Sequence, residues 1–179
     1  RVIENDGSFS GLEGGSASDH RCLSFRAQKR SVVSGFGSPD AVDDQQVREV
    51  TKEIATRADQ LGFSSLTMGE AWGEDAFTSL AQLATVTDRI SIGTSIVPVY
   101  ARTPANLAMT ALNMDIMSKG RFFLGLGSSG KLVIEDFHGQ KFEKPLSRMR
   151  EYINFVRMAL RGDRLDLEGE FFSTKRFRL

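Results

Sequence analysis

The sequence reads Phe63-Ser-Ser-Leu-Thr-Met68, then Ile90-Ser-Ile-Gly-Thr-Ser-Ile-Val97, then Arg121-Phe-Phe-Leu-Gly-Leu-Gly127, with a helical pattern in each gap between these β-rich runs. Strands that alternate with helices predict a parallel α/β sheet. Such folds place their chemistry at the carboxyl ends of the strands. We therefore expect functional residues in the segments that follow the three runs: Gly69-Glu-Ala-Trp-Gly73, Ser95-Ile96 and Gly127-Ser-Ser-Gly130.

The composition is that of an ordinary globular protein. The 179 residues are 40% hydrophobic and 26% charged, which favours a single domain. Lys and Arg together number 23, as do Asp and Glu, so no net charge attracts nucleic acid. No apolar run is long enough to cross a bilayer, and the single Cys22 cannot form an internal disulfide or a zinc site. We expect a cytoplasmic protein without a metal, a nucleic-acid partner or a membrane partner.

The chain divides into a weakly patterned start and a regular domain. Residues 1–30 are rich in Gly and Ser and carry only scattered apolar residues, which predicts a loose tail before a domain of residues 31–179. Apolar spacing and capping residues then predict the helices. They span 44–61, 75–86, 103–117 and 145–160, and a small hairpin or an edge excursion follows around Glu168-Gly169.

One predicted helix is apolar on nearly all sides. Residues 104–117 include Leu107, Met109, Leu112 and Ile116, so one face must meet something besides its own sheet. We expect a homodimer through helices 75–86 and 104–117. Burial of this face under the tail or under further chain is the alternative.

Glu70 and Trp72 follow the first of the three runs and can project into the mouth of a sheet or barrel. A carboxylate beside an aromatic wall can donate or accept a proton, because partial desolvation raises its pKa. The alternative is a solvated Glu and a Trp that fills a gap between helices. Tyr100 and Arg102 lie beyond the next strand and could line the same pocket, although an Arg before a helix is more often solvated.

Gly125-Leu-Gly-Ser-Ser-Gly130 matches G-x-G-x-x-G directly after a strand. A dinucleotide-binding Rossmann turn also needs a long helix at the third glycine, and the segment 131–137 is short. The loop can still bind a phosphate, because glycines expose backbone N–H groups and Ser128 and Ser129 add hydroxyl donors. A plain tight turn is the alternative.

Several motifs together resemble the bacterial luciferase-like monooxygenase superfamily, nearest to its coenzyme F-420-dependent oxidoreductases related to methylenetetrahydromethanopterin reductase. The resemblance spans about residues 45–172, and its order and spacing make it specific. The motifs are Ala58-Asp-Gln-Leu-Gly-Phe63, Gly69-Glu-Ala-Trp-Gly-Glu-Asp-Ala-Phe77, Arg89-Ile-Ser-Ile-Gly-Thr94, Thr103-Pro-Ala105, Lys119-Gly-Arg-Phe-Phe-Leu-Gly-Leu-Gly127, Pro145-Leu-Ser-Arg-Met-Arg-Glu-Tyr152 and Gly169-Glu-Phe-Phe172.

The resemblance implies a TIM (β/α)8 barrel whose mouth binds coenzyme F-420 or, alternatively, FMN, with a hydride passing between ring C5 and a small organic substrate. It implies that a bulge with a non-prolyl cis peptide at Ser95-Ile96 backs the ring. Gly127, Ser128, Ser129 and Gly130 would meet the phosphate end of the cofactor. Glu70 and Trp72 would touch the ring or the substrate.

A complete (β/α)8 barrel usually takes about 200 residues or more, so we expect only its amino-terminal half, in a fragment or a shortened relative. Three hypotheses about function follow. The first is an oxidoreductase that uses coenzyme F-420, or an FMN-dependent monooxygenase of the same superfamily. The second is a non-catalytic remnant that binds a flavin or dimerises. The third is a nicotinamide enzyme of the Rossmann type.

Overall fold

The computed structural model describes residues 2–4, 31–34 and 44–179, and its elements follow the predicted alternation of strand and helix. Cys22 and most of the expected tail lie outside the described residues. The elements are β1 Val2–Glu4, β2 Ser31–Ser34, α1 Asp44–Gln60, β3 Ser65–Met68, α2 Ala76–Thr85, β4 Ser91–Thr94, β5 Val97–Pro98, α3 Pro104–Met117, β6 Phe122–Gly127, a π-helical turn Val133–Phe137, α4 Pro145–Leu160, β7 Leu165–Glu168 and β8 Ser173–Phe177.

The first six strands form one parallel sheet in the order β1-β6-β4-β3-β2, with β5 also paired to β6. Leu66 of β3 lies opposite Ile92 of β4, which lies opposite Phe122 of β6. All three side chains are buried. Strands that alternate with helices and are buried in this way are typical of α/β proteins with covered sheets. The parallel sheet predicted from the sequence is therefore confirmed.

Residues Val2–Glu4 differ from the expectation of a loose tail. They form β1, which pairs in parallel with β6 so that Val2 lies opposite Leu124 and Glu4 opposite Leu126. A sheet edge presents unpaired N–H and C=O groups that readily accept another strand. In the described residues, this edge of β6 is the partner of β1.

Helix boundaries follow the capping residues that the sequence contains. The side chain of Asp75 accepts a hydrogen bond from the Thr78 N–H at 2.7 Å, and Thr103 caps α3 by accepting from the Asn106 N–H at 3.2 Å. Gly62 has a φ of +75°, as expected for a glycine that ends a helix. These local signals explain why the predicted helices agree with the observed ones.

Asp59 ties the end of α1 to the start of β4, at the amino end of the sheet. Its carboxylate accepts hydrogen bonds from the backbone N–H groups of Asp88 at 2.9 Å, Arg89 at 3.0 Å and Ile90 at 2.6 Å. Burial alone would raise the pKa of Asp59, but these three donors lower it below its ordinary value. The ionised carboxylate is therefore part of the folded structure.

Arg121 forms a second clamp at the same end, immediately before β6. Its guanidinium donates to three backbone carbonyls, those of Ala84 at 3.2 Å, Thr87 at 2.9 Å and Ile90 at 2.8 Å. These bonds join the end of α2 and the start of β4 to β6. Asp59 and Arg121, the amino-end clamps, satisfy backbone groups that would otherwise be left unpaired.

The carboxyl-terminal hairpin is held by one carboxylate of α4. Strands β7 and β8 are antiparallel, which confirms the predicted hairpin. Between them, Glu151 accepts backbone N–H groups from Glu170 at 3.1 Å, Phe171 at 3.1 Å and Phe172 at 2.6 Å. This three-donor cradle fixes the hairpin against α4.

The outer surface of α3 remains apolar. Met109 is 54% exposed and Ile116 is 65% exposed, and Leu112 and Met117 are also exposed. In the part of the chain that the structure describes, no helix is long and apolar enough to cross a membrane.

Candidate functional site

The chain bends at Ser95-Ile96, between β4 and β5, where the family resemblance implies a bulge. At this bend the side chain of Thr94 takes over the pairing with β6, because its hydroxyl donates to the Gly125 carbonyl and accepts from the Gly125 N–H, both at 2.8 Å. A Cβ on Gly125 would lie 2.3 Å from the Thr94 carbonyl oxygen, so only glycine fits there. The bend is therefore built into the contact between β4 and β6.

The expected cis peptide at Ser95-Ile96 is wrong, because the described residues contain no cis peptide bond. The trans chain keeps its backbone groups paired on both sides of the bend. Ser95 donates its N–H to the Met68 carbonyl at 2.9 Å, and the Ile96 carbonyl accepts the Glu70 N–H at 3.0 Å. The Ser95 N–H and the Ile96 carbonyl are therefore both hydrogen-bonded in a chain whose peptide bonds are trans.

The carboxyl ends of three strands meet at Ile96. Glu70, just after β3, is hydrogen-bonded to its carbonyl. Gly127, the last residue of β6, packs so closely that a Cβ there would lie 2.6 Å from Cγ2 of Ile96. The structure thus brings these three predicted residues together at one edge of the sheet.

A cavity of about 590 Å³ opens beside this meeting point. Ile96, Gly127, Ser128 and Ser129 line it, as expected for residues of one site. Its size is that of typical small-molecule sites. The predicted residues Ser95 and Gly130 do not line it.

Helix α4 supplies the remainder of the cavity wall, which the sequence interpretation missed. Arg150, Asn154 and Arg157 face the cavity beside the apolar side chains of Leu146, Met149 and Ile153. Their spacing of four and three residues places them on one helix face, and this polar stripe was the only signal in the sequence. The sequence pattern predicts an amphipathic helix here but assigns no role to its polar side.

The cavity is suited to an anion. Two guanidinium groups and two hydroxyl groups line it, and the described residues of its wall include no Asp or Glu. Ser129 adopts a φ of +59°, the left-handed conformation found where successive N–H groups converge on an anion. Guanidinium groups bind phosphates through paired, charge-assisted hydrogen bonds. The residues present therefore fit the phosphate end of a cofactor.

The Rossmann hypothesis is not supported. The helical segment after Gly130 runs only from 131 to 137 and ends in the π-helical turn. A dinucleotide-binding turn needs a well-formed helix at that position.

Glu70 lies in a different environment from the one expected. Its carboxylate forms a two-point ion pair with Arg102, in which Nη2 lies 2.9 Å from Oε2, and it also accepts the Ala76 N–H at 3.1 Å. The Arg102 guanidinium also binds Asp75. The Arg102 side chain is only 18% exposed, so it is not the solvated Arg that the sequence favoured. Proton relay by Glu70, which stays a prediction, would require this ion pair to open.

Asp75 and Arg102 favour each other's charged form. Burial alone would raise the pKa of Asp75, but the hydrogen bonds from Thr78 and the Arg102 guanidinium lower it below its ordinary value. Partial burial alone would lower the pKa of Arg102, but Glu70 and Asp75 raise it above its ordinary value. The arrangement is a compact charged network at the carboxyl ends of β3 and β5.

Trp72 is 62% exposed, so its ring fills no gap between helices. It lies in the loop between Glu70 and Asp75, which the charged network holds at both ends. Its predicted role as a wall for a bound ring stays a prediction.

Curated relatives match most of the chain, although the chain spans only 30% to 41% of their length. A Mycobacterium tuberculosis protein named as a coenzyme F-420-dependent oxidoreductase is 49% identical over 105 residues, which are 59% of this chain and 30% of that protein. A glucose-6-phosphate dehydrogenase from Rhodococcus erythropolis, described as F-420-dependent, is 34% identical over 137 residues, covering 69% of this chain and 41% of that enzyme.

Two solved structures resemble the parallel α/β fold of this chain. The oxygenating constituent of 3,6-diketocamphane monooxygenase from Pseudomonas putida, in complex with FMN, has a TM-score of 0.72 at 18% identity, covering 80% of this chain and 42% of its own. The coenzyme F-420-dependent tetrahydromethanopterin reductase from Methanopyrus kandleri has a TM-score of 0.65 at 21% identity, covering 82% and 44%. These likenesses confirm the expected fold, part of a luciferase-type TIM barrel.

The family model described as luciferase-like monooxygenase matches residues 29–179. This range contains the strands β2 to β6 and the complete wall of the cavity. The chain belongs to the luciferase-like monooxygenase family.

Proposed function

We propose that this chain carries the cofactor-binding part of an oxidoreductase that transfers a hydride between coenzyme F-420 and a small organic substrate. The cavity lined by two Arg and two Ser side chains at the strand ends is the observation that carries this proposal. Relatives named for coenzyme F-420 favour this cofactor over FMN, which is the alternative.

Each part of the cavity wall has a task in this proposal. Ser128 and Ser129 donate to the phosphate through their hydroxyl groups, and Arg150 and Arg157 approach it from α4. Ile96 and Gly127 present a close-packed surface on which the ring can lie. When bound, the cofactor supplies a ring carbon that accepts or donates a hydride. The chain itself binds the phosphate, orients the ring and excludes water from one ring face.

A binding titration tests the proposal. The chain is added to coenzyme F-420, whose fluorescence reports binding, and in parallel to FMN. We expect Arg150→Gln to weaken binding of the preferred cofactor about 10- to 100-fold, because a hydrogen bond to a charged group contributes about 1.5–3 kcal/mol. Arg161→Gln is the matched control, since Arg161 ends the same helix and pairs with Asp163 at 2.8 Å outside the cavity.

Two results would contradict the proposal. One is a folded chain that binds neither cofactor. The other is binding that Arg150→Gln and Arg161→Gln weaken equally, because the phosphate would then lie elsewhere.

A second candidate is a chain that binds the cofactor without turnover. It is favoured by the environment of Glu70, because the carboxylate predicted to relay a proton is held in an ion pair with Arg102. Binding of coenzyme F-420 without its reduction by any alcohol, aldehyde or sugar phosphate tried would support this candidate.

A further inference from the structure

Arg102 joins both ends of the loop that carries Trp72. Its guanidinium pairs with Glu70 at the start of the loop and with Asp75 at its end. The Glu70 side chain is only 9% exposed, so this pair is largely shielded from water. The guanidinium also lies over the Phe77 ring, 5.0 Å from its centre, which restricts its position further.

Other contacts hold the carboxyl end of the loop, where Glu74 accepts a hydrogen bond from the Ser79 hydroxyl at 2.9 Å and lies 3.8 Å from the Arg48 guanidinium. Trp72 is largely exposed, and a Cβ on Gly73 would meet nothing within 4 Å. Asp75 also caps α2, so displacement of this residue would disturb the start of that helix. The Arg102 guanidinium therefore joins the start of the loop to its end.

Arg102 is also connected to the cavity wall through its backbone. Its carbonyl accepts a hydrogen bond from the Tyr152 hydroxyl at 3.1 Å. Tyr152 is fully buried on α4, the helix that carries Arg150 and Arg157. The Trp72 loop and the anion-binding helix thus share one anchor residue.

We propose that Arg102 is a positioning residue that holds the loop 69–75, and Trp72 with it, in a fixed place relative to the cavity wall of α4. Arg102 does not line the cavity and acts through Glu70, Asp75 and Tyr152. The use of this geometry for cofactor binding rests on the proposed function, but the geometry itself can be tested without a cofactor.

Trp72 is the only tryptophan of the chain, so its fluorescence reports this loop alone. Time-resolved anisotropy of Trp72 measures its motion on the nanosecond timescale. For Arg102→Gln we expect the amplitude of the fast component to rise about twofold, because both ends of the loop are released. Arg102→Lys keeps the charge but not the two-point fork, and should restore part of the wild-type value.

Arg121→Gln is the matched control. The Arg121 guanidinium also makes several hydrogen bonds, but to backbone carbonyls at the opposite ends of the strands, so its loss should lower stability and leave Trp72 unchanged. Glu70→Gln supplies a second, independent variant, and the double variant Glu70→Gln with Arg102→Gln should be no more mobile than Arg102→Gln alone, because Arg102→Gln already removes the pair with Glu70. Urea unfolding followed by circular dichroism identifies the variants that remain folded.

The proposal is overturned if folded Arg102→Gln, or folded Glu70→Gln when Arg102→Gln does not fold, shows the wild-type decay of Trp72. It is also overturned if Arg121→Gln mobilises Trp72 equally, since the effect would then reflect general loosening. Failure of the chain to bind coenzyme F-420 would contradict the proposed function. It would not affect the test of Arg102, because the anisotropy of Trp72 is measured without a cofactor.

Discussion

Replacing Asp59 with Asn tests the amino-end clamp with a minimal change of shape. The carboxylate accepts three backbone N–H groups, two through Oδ1 from Arg89 and Ile90 and one through Oδ2 from Asp88. In the Asp59→Asn variant the amide oxygen can keep the first two bonds without their ionic component. The amide NH2 then faces the Asp88 N–H, so two donors meet and that bond is lost.

The expected loss in the free energy of unfolding follows from these three hydrogen bonds. A hydrogen bond to a charged group contributes about 1.5–3 kcal/mol and a neutral one about 0.5–1.5 kcal/mol, so one lost bond and two weakened bonds cost about 2–4 kcal/mol. The pKa of Asp59 is lowered in the folded state. The ionised Asp59 carboxylate therefore stabilises the folded state at pH values above the ordinary Asp pKa. This stabilisation is lost as the pH falls through the lower pKa that Asp59 has in the folded state.

Urea unfolding at pH 7, followed by circular dichroism, measures this loss. Asp163→Asn is the control, because Asp163 lies at the surface, where its pair with Arg161 contributes at most about 1 kcal/mol. The stability difference between wild type and Asp59→Asn should shrink toward pH 3. An Asp59→Asn chain as stable as wild type at pH 7, or a difference that stays constant down to pH 3, would refute the reasoning.

Two further predictions concern the cavity and α3. Gly127→Ala places a methyl group 2.6 Å from Cγ2 of Ile96, which lines the cavity, so the Ile96 side chain must shift and cofactor affinity should fall in the same titration. Adding Ile96→Ala removes Cγ2 together with part of the proposed ring surface, so it should restore only part of the affinity. We also propose that the exposed apolar side of α3 packs against a second copy of the chain, as a homodimer through helices 75–86 and 104–117. Ile116→Asp should then yield a monomer in light scattering, whereas Leu132→Asp, at a residue 73% exposed outside α3, should not. A wild-type monomer would contradict the dimer.

The sequence predicts those parts of the molecule that local residues determine. Asp75 and Thr103 cap helices within three residues of themselves, and Gly62 ends α1 through its own backbone. Loops after parallel strands lie at one edge, which explains why Ile96 and the Gly127 loop share a cavity. None of these predictions needs knowledge of how distant helices pack.

Other parts of the site depend on long-range contacts. Arg150 and Arg157 reach the cavity only because α4 packs with that face toward the loop after β6. Arg102 forms ion pairs with Glu70 and Asp75, which lie 32 and 27 positions earlier in the chain and are brought beside it by the fold. The expected cis peptide was carried over by resemblance, while the local hydrogen bonds of Ser95 and Ile96 already satisfy a trans chain.

The amino-end clamps have a consequence for how this protein can change over evolution. Asp59 and Arg121 fasten the sheet at the ends of the strands away from the cavity, through backbone groups that almost any neighbouring sequence provides. Substitutions in the loops at the cavity end therefore leave the hydrogen bonds of Asp59 and Arg121 in place. A chain built in this way can vary in sequence at the cavity end while the opposite end of its sheet keeps its hydrogen bonds.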